Sequence, residues 1–173
     1  MSRRARKDRN DDGAGLARLL LRGALGGTMI AHGVRHARTQ DGTAGWFESL
    51  GWRRPRLQAQ LSSTVEIGSG AALLAGAGTP MASSAVVGTM VVAYQTVHRP
   101  NGYFVVKEGW EYVAFVAASA VALAALGAGR FSVDRVLGLD GKGRPAQRAA
   151  LAAGLGLAGA GTQLATFWRR PAG

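Results

Sequence analysis

The chain has 173 residues, 47% of them hydrophobic, and carries 21 Lys and Arg against 10 Asp and Glu, for a formal charge of +11. It has no cysteine, which excludes a disulfide, a thiolate relay and any Cys-ligated metal. The positive charge does not point to nucleic acid, because the basic residues flank apolar blocks instead of forming a groove interleaved with aromatics; anionic lipid headgroups are the expected partners.

Residues 1–15, MSRRARKDRNDDGAG, are basic and then acidic with no apolar content, which predicts a disordered or surface-bound tail. Leu16 to Val34 is the first stretch near the length of about 20 residues that crosses a bilayer. It is long for a signal-peptide core, is interrupted by Arg18 and Arg22, and is followed by no small-residue cleavage pattern, so it reads as a retained helix. The Arg-rich loop that follows contains Trp46, Phe47 and Trp52, aromatics suited to the headgroup level, and is expected to fold back onto the bilayer or cap the bundle.

The second span, Leu57 to Ala77, has Glu66 near its middle. A turn of about Gly78 to Thr79, with Pro80 opening the next helix, makes the second and third spans antiparallel neighbours. The third runs from about Pro80 to Val97 and the fourth from about Trp110 to Ala128. Met81 to Val97 carries no charge on any face, whereas a helix in water would show polar residues every third or fourth position. In the block after the fourth span, Arg130 and Asp134 would pair if the helix continued, but Gly127 and Gly129 argue for a break. Residues 138–148 read as a linker. Residues 149–168, rich in Gly and Ala, form a fifth helix that crosses the membrane, lies at the interface or binds a partner.

The expected fold is therefore all-α, a polytopic transmembrane four-helix bundle over residues 16–137 with an additional fifth C-terminal helix. Gly23, Gly26 and Gly27, then Gly68, Gly70 and Gly76, then Gly154, Gly156, Gly159 and Gly161 allow close helix contact in lipid and make a homo-oligomer plausible. The excess of Lys and Arg on the N-terminal tail and after the fourth span favours an N-terminus in the cytoplasm. The high Arg content with much Ala and Gly suits a bacterial plasma-membrane protein.

An ionisable residue inside a membrane marks a functional hypothesis with a partner to be named. At about 1.5 Å per residue, Glu66 lies about 14 Å below Leu57, near the midplane. His32, His98 and Glu111 fall at the ends of three other spans, on one level above it, so that four helices contribute to a polar funnel, with Arg35 and His36 at its rim. His32 is the first expected partner of Glu66 and Arg22 the second. Equally, Glu66 could hydrogen-bond a neighbouring helix in a structural role, and Arg22 with Arg18 could anchor on headgroups. No two of His32, Glu66, His98 and Glu111 have a one-helix ligand spacing, and no metal site is expected.

The residues that carry a resemblance are His32-Gly33, Glu66 with the turn LLAGAGTP after it, His98-Arg99-Pro100-Asn101-Gly102-Tyr103-Phe104, Gly109-Trp110-Glu111-Tyr112, and Gly127-Ala128-Gly129-Arg130-Phe131-Ser132-Val133-Asp134. In their order and spacing the chain resembles the DoxX family over about residues 16–137. That resemblance implies a four-helix membrane bundle, with the fifth helix a departure from it. It carries over His32, Glu66, His98, Asn101, Gly102, Glu111 and Asp134 as positions that match the family pattern. It also implies a redox setting: some relatives resemble subunits of thiosulfate:quinone oxidoreductase, and others look like membrane components of an assembly that includes a superoxide dismutase and a sulfurtransferase.

Three functions follow as expectations. The chain is an accessory or anchoring subunit of a redox-linked membrane assembly, not an enzyme alone, in which the funnel of Glu66, His32, His98, Glu111 and Asn101 serves a quinone or small reductant. Alternatively it is a noncatalytic scaffold, or a small-molecule conduit.

Overall fold

The computed structural model describes residues 3–171. Among them the chain is helical, with no strand. The elements are α1 (Arg3–Arg38), α2 (Gln40–Ser49), α3 (Pro55–Ala75), α4 (Thr79–Ala93), α5 (Glu111–Leu126), α6 (Val133–Val136) and α7 (Pro145–Phe167). The backbone is already helical at Arg3, so α1 runs through the segment expected to be a disordered tail.

Prolines open three of the long helices, at the first turns of α3, α4 and α7, where a missing N–H costs nothing. α3 stops at Gly76, which takes the left-handed conformation (φ 64°). α4 runs on through a π-helical turn, Tyr94–His98, and a 3₁₀ turn, Arg99–Asn101, and reaches about 30 Å before it turns. α5 has 16 residues, about 24 Å, which is short for a bilayer core.

α1 packs on α3, and α4 packs on both α5 and α7. Leu25, Met29, Leu73, Val86, Val116 and Leu123 form the apolar centre between α1, α3, α4 and α5. Backbones approach closely at two seams. A Cβ on Gly70 would lie 2.7 Å from Gly26 O, and one on Gly26 would lie 2.7 Å from Gly70 O. On the other seam, a Cβ on Gly156 of α7 would lie 2.7 Å from Ser84 O of α4.

The distribution of side chains is inverted relative to a protein in water. Arg22, Gln58, Ser63, Glu66, Ser69 and Ser83 are buried, while Leu20, Leu61, Val65, Met81, Phe115 and Leu157 are exposed. α7, the segment with three possible placements, is the helix that is both long enough and apolar enough to cross a membrane by itself. It is also stitched into the fold: Arg53 N donates to Phe167 O, Trp168 Nε1 to Leu50 O, and Arg169 N to Gly51 O. α1 and α3 fall short of that apolar measure because they carry polar groups on their inward faces.

At the opposite end of the bundle, arginines close the helix termini. A helix leaves its last carbonyls without partners. In α5 these are taken by Arg148, which donates to Ala124 O and Ala125 O, and by Arg18, which donates to Leu126 O. Arg22 donates to Leu73 O and Leu74 O at the end of α3 and to Ala128 O and Phe131 O in the loop beyond α5. Arg22 is thus neither a headgroup anchor nor a partner of Glu66. Gly127 and Gly129 have φ of 79° and 83° and break the helix, so Arg130 does not pair with Asp134 but stacks on Phe131. Asp134 instead accepts from Gly78 N, Thr79 N and Thr79 Oγ1 and caps α4.

Candidate functional site

Glu66 is 4% exposed, about three turns into α3 from the end that α2 covers. Gly33 permits α1 to lie against it, since a Cβ there would sit 2.9 Å from Glu66 Cβ. Ser62, one turn earlier on α3, donates to Glu66 Oε1 at 2.9 Å. His36 Nδ1 lies 3.2 Å from Glu66 Oε2. That contact is a charge approach and not a directed hydrogen bond, since Oε2 is buried without a hydrogen-bond donor. The partner of Glu66 is therefore His36, assisted by Ser62, in place of His32 or Arg22.

Proton positions follow from these contacts. The Ser62 hydroxyl hydrogen points to Glu66, so at 3.3 Å its oxygen can only accept from His36 Nδ1. His98 Nδ1 lies 2.6 Å from Glu108 O, and a carbonyl only accepts, so that nitrogen also bears a hydrogen. Both imidazoles are left with Nε2 free, an acceptor in the neutral ring.

A cavity of about 550 Å³ joins these groups. It is lined by His32 and His36 of α1, Glu66 of α3, Thr89 and Met90 of α4, His98 of the π-helical turn, and Tyr112, Val113 and Val116 of α5. Trp46 of α2 and Glu108 of the α4–α5 loop complete the wall. All three histidines of the chain line this one cavity. Because His32 of α1 and Tyr112 of α5 are exposed, the cavity opens along the seam between those two helices.

Two of the five funnel residues do not line it. Glu111 Oε2 accepts from Val105 N at 3.0 Å, and Asn101 Nδ2 reaches Val97 O and Glu108 O. Together with His98 they satisfy the backbone of the loop before α5, where Tyr103, Phe104, Val105 and Val106 are exposed. These three polar side chains pair backbone groups that the irregular path of the loop leaves without helical partners. Sequence reasoning placed His36 only at the rim and missed Ser62. The signal was available, since His36 is four residues after His32 and Ser62 four before Glu66, the spacing that shares a helix face.

A bundle with its polar groups inside and its apolar side chains outside is built for lipid, and the chain is a multi-pass integral membrane protein of all-helical fold. The family model described as DoxX matches residues 17–99, and that stretch belongs to the DoxX family. The match takes in α1 to α4 and the histidines with Glu66, and ends before the loop of Asn101 and Glu111. No curated protein and no solved structure matches the chain.

Proposed function

We propose that this membrane protein is an accessory or anchoring subunit of a redox-linked assembly, and that its cavity receives a small lipid-soluble redox molecule, a quinone head group being the best fit. The convergence of Glu66 with all three histidines on one cavity that opens toward lipid carries the reading. Met29, Val97, Val113 and Val116 offer apolar walls to a ring, and the imidazoles and the carboxyl offer hydrogen bonds at one end, as small-molecule sites do. A quinone, when bound, would supply a two-electron, two-proton carrier.

The chain's own part is positioning and proton handling. Glu66 is the group that would take up or give a proton, with His36 approaching its carboxyl as a charge partner at 3.2 Å and Ser62 holding the carboxyl in place. Electrons come from a partner protein, for which a superoxide dismutase or sulfurtransferase type is the proposed class. The setting is a bacterial plasma membrane, with the N-terminus in the cytoplasm. A scaffold role is the second reading, favoured by Arg22, Asp134, Asn101 and Glu111, whose polar groups all serve the backbone.

Glu66→Gln separates the two, because it keeps the shape and removes the titration. It should abolish redox function with assembly intact, whereas a scaffold keeps near-normal function. Purification in mild detergent with an absorption spectrum and mass spectrometry should show a quinone or redox enzymes travelling with the chain. A colourless homo-oligomer without either contradicts the redox reading.

A further inference from the structure

We propose that a groove between α3 and α7 is a glycerolipid site, in which Gln58 Nε2 donates a hydrogen bond to an ester carbonyl of the lipid. The groove encloses about 170 Å³. Its α3 wall is Gln58, Leu61, Ser62 and Val65, its floor includes Thr89 of α4, and Gln163 of α7 faces Gln58.

Gln58 is 1% exposed. Its Oε1 accepts from Gln163 Nε2 at 2.8 Å, yet its own Nε2 is buried with no acceptor. A buried donor without a partner is costly, and nothing in hydrocarbon replaces water there. The group that completes the site must therefore bring an acceptor.

Depth and lining identify it. Gln58 lies in the first turn of α3, about 5 Å from its start. Trp52, which lines the groove, and Trp168, tied to Leu50, are at the same end, and tryptophan marks the membrane interface. The boundary between headgroups and hydrocarbon is where a glycerolipid carries its ester carbonyls. Deeper along α3, Leu61 and Val65 are 43% and 39% exposed and extend the groove as an apolar track for an acyl chain. Water could satisfy the amide, but a water molecule needs two to four polar partners, and the neighbouring donors are already engaged, Ser62 with Glu66, Thr89 with Ala85 O and Gln163 Nε2 with Gln58. A glycerolipid meets both requirements with one molecule. The groove shares Thr89 with the larger cavity, and Ser62 of its wall donates to Glu66, but Gln58 and Val65, on which the test turns, take no part in the redox reading.

The test uses the full chain in detergent and native mass spectrometry with two probes: phosphatidylglycerol carrying two ester-linked chains, and its diether counterpart with the same headgroup. The diester should be retained about fivefold more tightly, as one hydrogen bond predicts. Gln58→Leu should erase that difference. Val65→Trp, on an outward-facing position that the packing does not use, should weaken retention of both lipids by filling the track. Equal retention of the two probes by the native chain overturns the proposal and leaves water as the occupant. So does an ester preference that persists in Gln58→Leu, or a Val65→Trp chain that binds both probes as the native one does.

Discussion

Arg22 shows how a single side chain can be misread by position. Near the start of a span, an arginine is expected to reach for headgroups, but its five N–H donors also match the unpaired carbonyls that helix ends leave behind. Its guanidinium bonds four carbonyls from two segments, one buried end of α3 and the loop beyond α5. Removing it leaves those carbonyls without donors in lipid, so Arg22→Met should lower stability by about 3 kcal/mol or more, measured as the unfolding midpoint in detergent. Arg22→Lys should recover only part, because a point charge cannot supply the fork. Glu66 was legible as the residue to explain, since a charge amid apolar residues stands out in any sequence. Its true partner was not, because His32 and His36 lie on the same helix face and only the axial register of α1 against α3, set by the close approaches at Gly26, Gly33 and Gly70, decides which imidazole meets the carboxyl.

At the scale of elements, the spans were readable because each is a mainly apolar block close to the length that crosses a bilayer, the third without charge on any face, and the tight turn before Pro80 was readable from its residues. The role of Asp134 was not, since a contact across 55 residues of chain leaves no local pattern. It caps α4 from the short helix α6 with three hydrogen bonds, and Asp134→Ala should cost about 2 kcal/mol, again read from the unfolding midpoint, with Asp134→Asn intermediate. The shortness of α5 was not visible, since the apolar run was read from about Trp110 to Ala128 whereas the helix has 16 residues. The loop ahead of it follows an irregular path, and Asn101, Glu111 and His98 pair its backbone, which is why residues expected in the funnel belong in part to the loop. Close packing of α1 on α3 gives a contrast between neighbours. Gly70→Leu should prevent α1 and α3 from docking, because its side chain would drive into Gly26 O, whereas Gly68→Leu meets open space and should leave the folded fraction unchanged. Size-exclusion profiles of the two variants in detergent would show the difference.

For the whole molecule, the inverted distribution of polar and apolar side chains follows from the solvent: in lipid, polar groups find partners only in the interior. That organisation places the N-terminus and the α5–α7 connection at one end of the bundle, and α2, the α4–α5 loop and the C-terminal residues at the other. The absence of cysteine makes the arrangement directly testable. With the N-terminus in the cytoplasm, Ser49→Cys should react with a membrane-impermeant maleimide added to intact cells, and Lys142→Cys only after lysis; the reverse pattern would invert the topology. The central claim, that the cavity takes a redox-active head group held by His36 and Glu66, is tested most directly through Trp46, which lines it. The measurement is quenching of tryptophan fluorescence by a short-chain quinone in the purified chain, with Trp46→Phe to identify the signal and Glu66→Gln to perturb the site. Saturable quenching that disappears in Trp46→Phe and weakens about tenfold in Glu66→Gln, the scale of one charge-assisted hydrogen bond, is expected. Quenching that rises linearly with quinone and is the same in all three proteins would mean partitioning into the surrounding detergent, and would contradict a quinone site in this cavity.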